Sequence, residues 1–389
     1  MAGYSRTEPS DSVLDSIQIN TVAFEIQNES FILCVLDSIM VEEEFCTQVK
    51  ARVAQQTDTP AEHIVVSCIH THSAPAYFKL AFEDTHVEPE LRAGACNSMV
   101  ESARRAHGSM REAHVELERM YVESLYGNRN VKGGVEDKSC QLLMFRDSSG
   151  EPLGALFNLS AHPTILNGSS RVLSADLIGQ ARLLLEQQLK CPVACVNGTC
   201  GDVSTRFFRT TSGIEELTST AQALVDQFME RREPIALTAG PVRCGRIERP
   251  CTYEAATDPD WQDMTARIQK DLDSANPNRS SAFLMDRQLR KRAMGAIHLT
   301  LISQFYLAGN LLIVTLPGDI CSELGLRIKR AFSDLEVIII GYANTYCNYL
   351  VPSSDYGQYF ETFNSRLARG ESDAFIESVI GSIESLRAE

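Results

Sequence analysis

The chain of 389 residues contains no apolar stretch approaching the ~20 residues that a membrane-spanning helix requires. The nearest, residues 31–41, is interrupted by Asp37, so no integral membrane segment is expected. Positive charge is also scarce. There are 36 Lys+Arg against 51 Asp+Glu, a formal net charge of −15. A protein that coats nucleic acid or an anionic membrane needs a basic face, so neither partner is expected. The one dense basic run, Arg287-Gln288-Leu289-Arg290-Lys291-Arg292, reads as a solvated helix face. Twelve cysteines are present, yet none forms a C-x-x-C pair, and Cys191, Cys195 and Cys200 have the wrong spacing for a zinc ribbon. They read as buried free thiols in a reducing compartment. No basic stretch followed by an apolar one opens the chain, so no secretory signal is expected and a cytoplasmic protein is.

What is there is alternation. Residues 21–25 and 31–36 read as strands joined by a turn at Asn28-Glu29, and 41–56 carries apolar residues at helical spacing. Strands at 64–69, 113–122, 141–145, 153–159, 193–196, 241–247, 296–306, 311–316 and 337–340 alternate with helices at 88–107, 175–189, 215–231, 258–275, 284–294, 320–332 and 372–386. No internal repeat or low-complexity linker interrupts them. The pattern predicts an α/β fold of mixed β-sheets flanked by helices, in a single domain over 1–389.

Polar, ligand-competent residues follow five of the strands. His70-Thr71-His72-Ser73 follows 64–69, and two histidines at i, i+2 on extended backbone face one side. His-x-His alone is a weak metal signal. His162 sits in Ser160-Ala161-His162-Pro163, where proline keeps it out of helical conformation. Gly198 and Gly201, in the segment Asn197 to Ser204, would let backbone amides approach a ligand, although composition alone makes this a turn. Asp319, in Leu316-Pro317-Gly318-Asp319, is either a ligand or the cap of the following helix. The segment Gly341 to Tyr349 carries Tyr342, Tyr346 and Tyr349, which fit core, donor or phenolate-ligand roles. Five such ends meeting at one rim would make an active site.

The order and wording of these segments resemble the neutral/alkaline ceramidase family, zinc amidases that cleave the N-acyl bond of sphingolipids. The matching pieces are Ile69 to Pro75, Asn128-Arg129, Asn158 to Thr164, Ser174-Ala175-Asp176, Gly201-Asp202-Val203-Ser204, Leu316 to Asp319 and Gly341 to Tyr349. The resemblance implies a ceramidase-like catalytic domain with Zn²⁺ held by His70, His162, Asp319 and Tyr349. It places His72 beside the reacting water, Arg129 and Ser204 on the substrate's polar head, and Tyr359 on the oxyanion side. It makes Asp176 the residue that holds a histidine in its ligating tautomer. Zinc suits such imidazole and oxygen donors, lowers the pKa of bound water to about 7 and polarises a carbonyl.

Three features depart from the family pattern. Aspartate stands at 319 in place of glutamate, Thr205-Arg206 follows Ser204 in place of Pro-Asn, and neither a signal nor a C-terminal β-sandwich is visible. These favour an intracellular relative acting on a different N-acyl substrate, small or lipid-like. The expected activity is zinc-dependent amide hydrolysis; an acyltransferase using the same zinc site is the alternative.

Aspartate reaches roughly 1.3–1.5 Å less far than glutamate, and Glu323, one helical turn after Asp319, is the substitute ligand to be tested. Asp319→Ala is expected to lose zinc and Glu323→Ala to keep it; metal analysis of the two purified variants decides, and loss only in the second would reverse the assignment.

Overall fold

The computed structural model describes residues 1–6 and 8–388. Its first sheet pairs β1 (Ile19–Ile26) antiparallel to β2 (Glu29–Leu36), and β2 parallel to β3 (Ile64–Cys68). The hairpin turns on Gln27 and Asn28, both left-handed at φ 55° and 66°, which matches the twist of the flanking strands. Helices α1 (Glu43–Thr57) and α2 (Pro89–Gly108) bury Phe45, Val49, Val53, Met99 and Val100 in the core beneath it.

The second sheet contains β4 (His114–Tyr121), β5 (Ser139–Arg146), β6 (Pro152–Leu159), β7 (Val193–Asn197) and β8 (Glu233–Ile235), in spatial order β7-β6-β5-β4-β8. Only β6 and β7 run parallel, and the crossover joining them carries α3 (Asp176–Leu189), as a parallel pair requires. Helix α4 (Ile214–Arg231) packs beside α3. The third sheet runs β9 (Val242–Glu254), β10 (Ala296–Ala308), β11 (Leu311–Thr315), β12 (Glu336–Ile340) in that spatial order, and only β11–β12 is parallel. Helices α5 (Pro259–Leu272) and α6 (Ser281–Ala293) lie between β9 and β10 in the chain, α7 (Ser322–Ala331) between β11 and β12, and α8 (Phe360–Phe363) and α9 (Glu371–Ala388) follow. The observed fold is the mixed-sheet α/β arrangement that the alternation predicts. Among the described residues no helix is long and apolar enough to cross a membrane, and all twelve cysteines are unpaired, eleven of them buried.

Two expectations are corrected. β9 runs to Glu254, seven residues past the expected end: Cys251 and Tyr253 alternate inward with exposed Pro250, Thr252 and Glu254, a short apolar face that Pro250 and the charged pair Glu248-Arg249 obscure in the sequence. Its pairing to β10 continues through Pro250, which an edge strand tolerates because proline has no N–H to offer the ladder. The basic run of α6 is only half solvated. Arg287 and Lys291 are buried, the first donating to the Phe82 carbonyl and the second, through Nζ at 3.1 Å, to Thr362. Burial brings the Lys291 ammonium down to about 7.

The three sheets meet at strand ends. The Asn344 N–H donates to Val66 O at 2.7 Å, the Gly341 N–H to Asn197 O at 2.8 Å, and Asn158 Nδ2 to Ile339 O at 2.9 Å. These bonds tie the C-terminal ends of β3, β6, β7 and β12 into one seam. Behind it a buried ion pair, Arg182 on α3 with Asp37, is bidentate at 2.8 and 2.7 Å. It anchors the segment after β2, which includes Ile39. Removing one partner of a buried pair leaves the other charge uncompensated. Asp37→Asn is therefore expected to cost about 3–5 kcal/mol, read as a lower urea midpoint; an unchanged midpoint would mean the pair is structurally idle.

Candidate metal centre

His70 is reached two residues past β3 and sits in left-handed backbone at φ 68°, an uncommon conformation for a non-glycine residue. That turn aims the ring inward. Its Nδ1 lies 2.6 Å from Ile39 O, so Nδ1 carries the hydrogen and Nε2 a lone pair. His162, past β6, repeats the device: its N–H donates to Val203 O at 3.0 Å and its Nδ1 lies 2.5 Å from Cys200 O. Both rings are buried. Asn197, the last residue of β7, knits the two loops together, its Nδ2 donating to Ile69 O and Ala161 O at 3.0 Å each.

Asp319 enters the same space from the end of β11. Its Oδ1 lies 3.0 Å from His70 Nε2 and 3.4 Å from His162 Nε2. Tyr342 donates to Oδ1 at 2.9 Å and Tyr346 to Oδ2 at 2.6 Å. Burial alone would raise this carboxyl, but the facing imidazoles hold it well below the usual carboxylate range. It is therefore ionised. Gly318, at φ 83°, is needed here because a Cβ would run into Asn348 O, and the short Asp319–Ile320 segment pairs in parallel with Tyr349–Leu350. The loop thus lies hard against the tyrosine segment, which lets an aspartate reach the imidazoles. Helix capping falls to another residue: Asp202 Oδ1 accepts from Ser322 N and Oγ, both at 2.8 Å. Glu323 points away, paired with Arg327 and Arg330.

Tyr349 brings its hydroxyl to 3.4 Å from His162 Nε2 and 3.1 Å from Arg129 Nη2. Arg129 Nε donates to buried Glu361 at 2.8 Å. His72 places Nε2 3.1 Å from His70 Nε2. Burial, reinforced by the neighbouring imidazoles, holds His72 well below its ordinary value, and burial brings His162 down to about 4.

The donor set fits a cation. With both Nδ1 atoms hydrogen-bonded to carbonyls, His70 and His162 turn Nε2 toward one carboxylate oxygen, an arrangement that needs positive charge among the three groups and that a bound cation would supply. Tetrahedral zinc with bonds near 2.0–2.1 Å spaces its donors by about 3.4 Å, and the observed separations of 3.0–3.4 Å match. Nearby imidazoles and phenols complete the choice of ligands: His70, His72 and His162 all offer ring nitrogens within 4.8 Å of one another.

The remaining expected residues lie as follows. Ser204 is buried in a two-residue pairing with Gly127, and its Oγ accepts from Arg206 N at 3.2 Å; it makes no hydrogen bond to an imidazole among the described residues. Tyr359 is half-buried at the start of α8, and its hydroxyl makes no hydrogen bond to the cluster. The tautomer-fixing role expected of Asp176 is corrected: main-chain carbonyls hold both rings. The Asp176 carboxylate instead accepts from Ile165 N, Leu166 N and Leu177 N at 2.7–3.1 Å, which fixes the loop after His162. Gly198 and Gly201 make room for protein rather than for a ligand, since a Cβ on Gly201 would sit 2.8–2.9 Å from the Asp319–Cys321 backbone. Tyr342, Tyr346, Asn197, Asp202 and Glu361 take parts that their positions at strand and helix ends permit but do not specify.

Fold and site together define a class: a layered mixed-sheet protein whose strand ends converge on a buried imidazole–carboxylate centre. A family model for the N-terminal part of neutral/alkaline non-lysosomal ceramidases matches residues 1–213. This chain belongs to that family. Neutral ceramidase B of Dictyostelium discoideum is 26% identical over 161 residues, 36% of this chain and 21% of that protein, so the match spans about a fifth of the relative's length. Two solved structures share the fold at 16% identity, each covering 100% of this chain and 72% of its own: a ceramidase complexed with C2, at a TM-score of 0.79, and the neutral ceramidase from Pseudomonas aeruginosa, at 0.75.

His70 and His72 should fail differently. His70→Ala is expected to lose bound metal. His72→Ala should retain it and lower kcat by ~10²–10⁴-fold, the usual scale of a lost acid–base group. Equal metal loss in both variants would make His72 a ligand.

Proposed function

We propose that this chain is a zinc-dependent amidohydrolase that cleaves the N-acyl bond of a ceramide-like or related N-acyl substrate, with residues 1–389 acting as one unit. The observation that supports it most is the meeting of Asp319 Oδ1 with His70 Nε2 and His162 Nε2 at 3.0 and 3.4 Å, both rings held from behind by carbonyls. His70, His162, Asp319 and Tyr349 would hold the ion, which supplies an acidified water and a polarised carbonyl when bound.

The chain's own groups supply the rest. His72, neutral and adjacent to His70, takes a proton from the attacking water and returns it to the leaving amine. Arg129, pinned by Glu361, presents a fixed cation where negative charge develops on the acyl oxygen; Tyr359 adds a hydroxyl from the rim. Ser204 positions the substrate's polar head and forms no acyl intermediate. Tyr342 and Tyr346 hold the Asp319 carboxylate in one orientation, so it cannot swing away as charge redistributes.

Incubating the purified chain with an N-acyl sphingoid amide should release free amine and fatty acid. A chelator should abolish release and Zn²⁺ restore it. Full activity after verified metal removal would refute the reading. An amine acceptor that diverts the acyl group into a new amide at the expense of fatty acid would turn it toward acyl transfer, and an acyl group trapped on Ser204 would replace it with a serine mechanism.

A further inference from the structure

A second cluster of metal-ligating side chains lies at the opposite end of β3, roughly 20 Å along the chain from His70 at ~3.3 Å per residue. Glu29 opens β2, His63 ends the turn that leads into β3, and Cys244 lies in β9. Their ligand atoms all fall within 4.8 Å of one another. Cys244 Sγ is 3.6 Å from His63 Nε2, and Glu29 Oε2 is 3.9 Å from the same nitrogen.

We propose that Glu29, His63 and Cys244 form a separate site for a thiophilic divalent cation such as Zn²⁺, Co²⁺ or Cd²⁺, clamping the first sheet to the third. A tetrahedral ion with metal–sulfur near 2.3 Å and metal–nitrogen near 2.0–2.1 Å spaces those two donors by about 3.5 Å, and the observed 3.6 Å meets this. The nitrogen–oxygen separation is longer, but Glu29 is the exposed partner at 54% and closes by side-chain rotation.

Three further observations support the assignment. The His63 ring is clamped by Phe31, stacked at 4.5 Å, so its Nε2 is aimed before any ligand arrives. Cys244 is the one cysteine among the described residues that is not buried, so an ion can reach it. Glu29 has no lysine or arginine partner among the described residues, which leaves its charge available. Binding exchanges S–H for a metal–sulfur bond and passes the proton to solvent; no electron moves. The three side chains leave a fourth position for water.

The thiolate separates this site from the first, whose candidate donors are nitrogen and oxygen. The full chain, stripped of metal and titrated with Co²⁺, should take up two ions, and one step should bring a near-ultraviolet thiolate-to-cobalt charge-transfer band. Cys244→Ser should lose the band and one equivalent of cobalt while the other ion still binds. Glu29→Gln, an exposed change that leaves the core intact, should keep the band but shift its midpoint to higher Co²⁺. Cobalt saturation without the band, or a band that survives Cys244→Ser, overturns the proposal. An unshifted midpoint in Glu29→Gln removes the three-ligand site even if the serine variant does not fold.

Discussion

An ionised carboxylate with no exposure to water must be answered by positive charge or by hydrogen-bond donors, and Asp319 imposes that demand on everything around it. Two phenols donate to it and two imidazole nitrogens face it. The rings cannot meet the demand as neutral bases, because their only N–H groups point backward to Ile39 O and Cys200 O. The main chain thus gathers both rings around one carboxylate, where positive charge among them is the stabilising complement. Even the neighbouring helix conforms: its first amide, Ser322 N–H, is taken by Asp202, and Asp319 makes no capping bond to it.

This arrangement rests on irregular backbone at regular places. Each contributing strand is an ordinary buried β segment, and β3, β11 and β12 are followed by residues in left-handed conformation that turn the chain. His70, Gly318, Tyr342, Asn344 and Asn348 all have φ between 54° and 83°. Apart from Gly318, which adopts this conformation freely, such residues are held there by surrounding packing. Here the packing is the seam of main-chain bonds among β3, β7 and β12, with Asn197 bridging the two histidine loops. The ion pair of Arg182 and Asp37 stands one step further back, anchoring the segment that includes Ile39.

Much of this was legible in the sequence. Apolar runs such as 64–69 and 337–340 announce buried strands, and polar residues directly after them announce a rim. The resemblance then named the histidines, Asp319 and Tyr349, which the structure brings together. What escaped depends on tertiary partners. Nothing local marks Asp202 as the cap of α7, because the helix it caps lies 120 residues further along the chain, whereas Asp319 directly precedes that helix and does not cap it. Tyr342 and Tyr346 differ from core tyrosines only in what lies opposite. Residues 248–254 escaped because Pro250 and the adjacent charges mask the alternation of buried Cys251 and Tyr253 that pairing with β10 turns inward. The buried half of the α6 basic run escaped for the same reason: Lys291 is charged by type and buried by position.

The residues of the centre are scattered from 70 to 349 along the chain, and three separate sheets must dock before they meet. Contacts this distant in sequence form late, because the entropy of closing long loops is spent before they return any stability. A chain still emerging during synthesis therefore holds isolated histidines and no centre. An ion bound there as proposed would bind only the completed arrangement and draw the folding equilibrium toward it by mass action. Under the proposed function, assembly of the three sheets and acquisition of the ion would be a single coupled event, in which the last strand to dock decides when chemistry can begin.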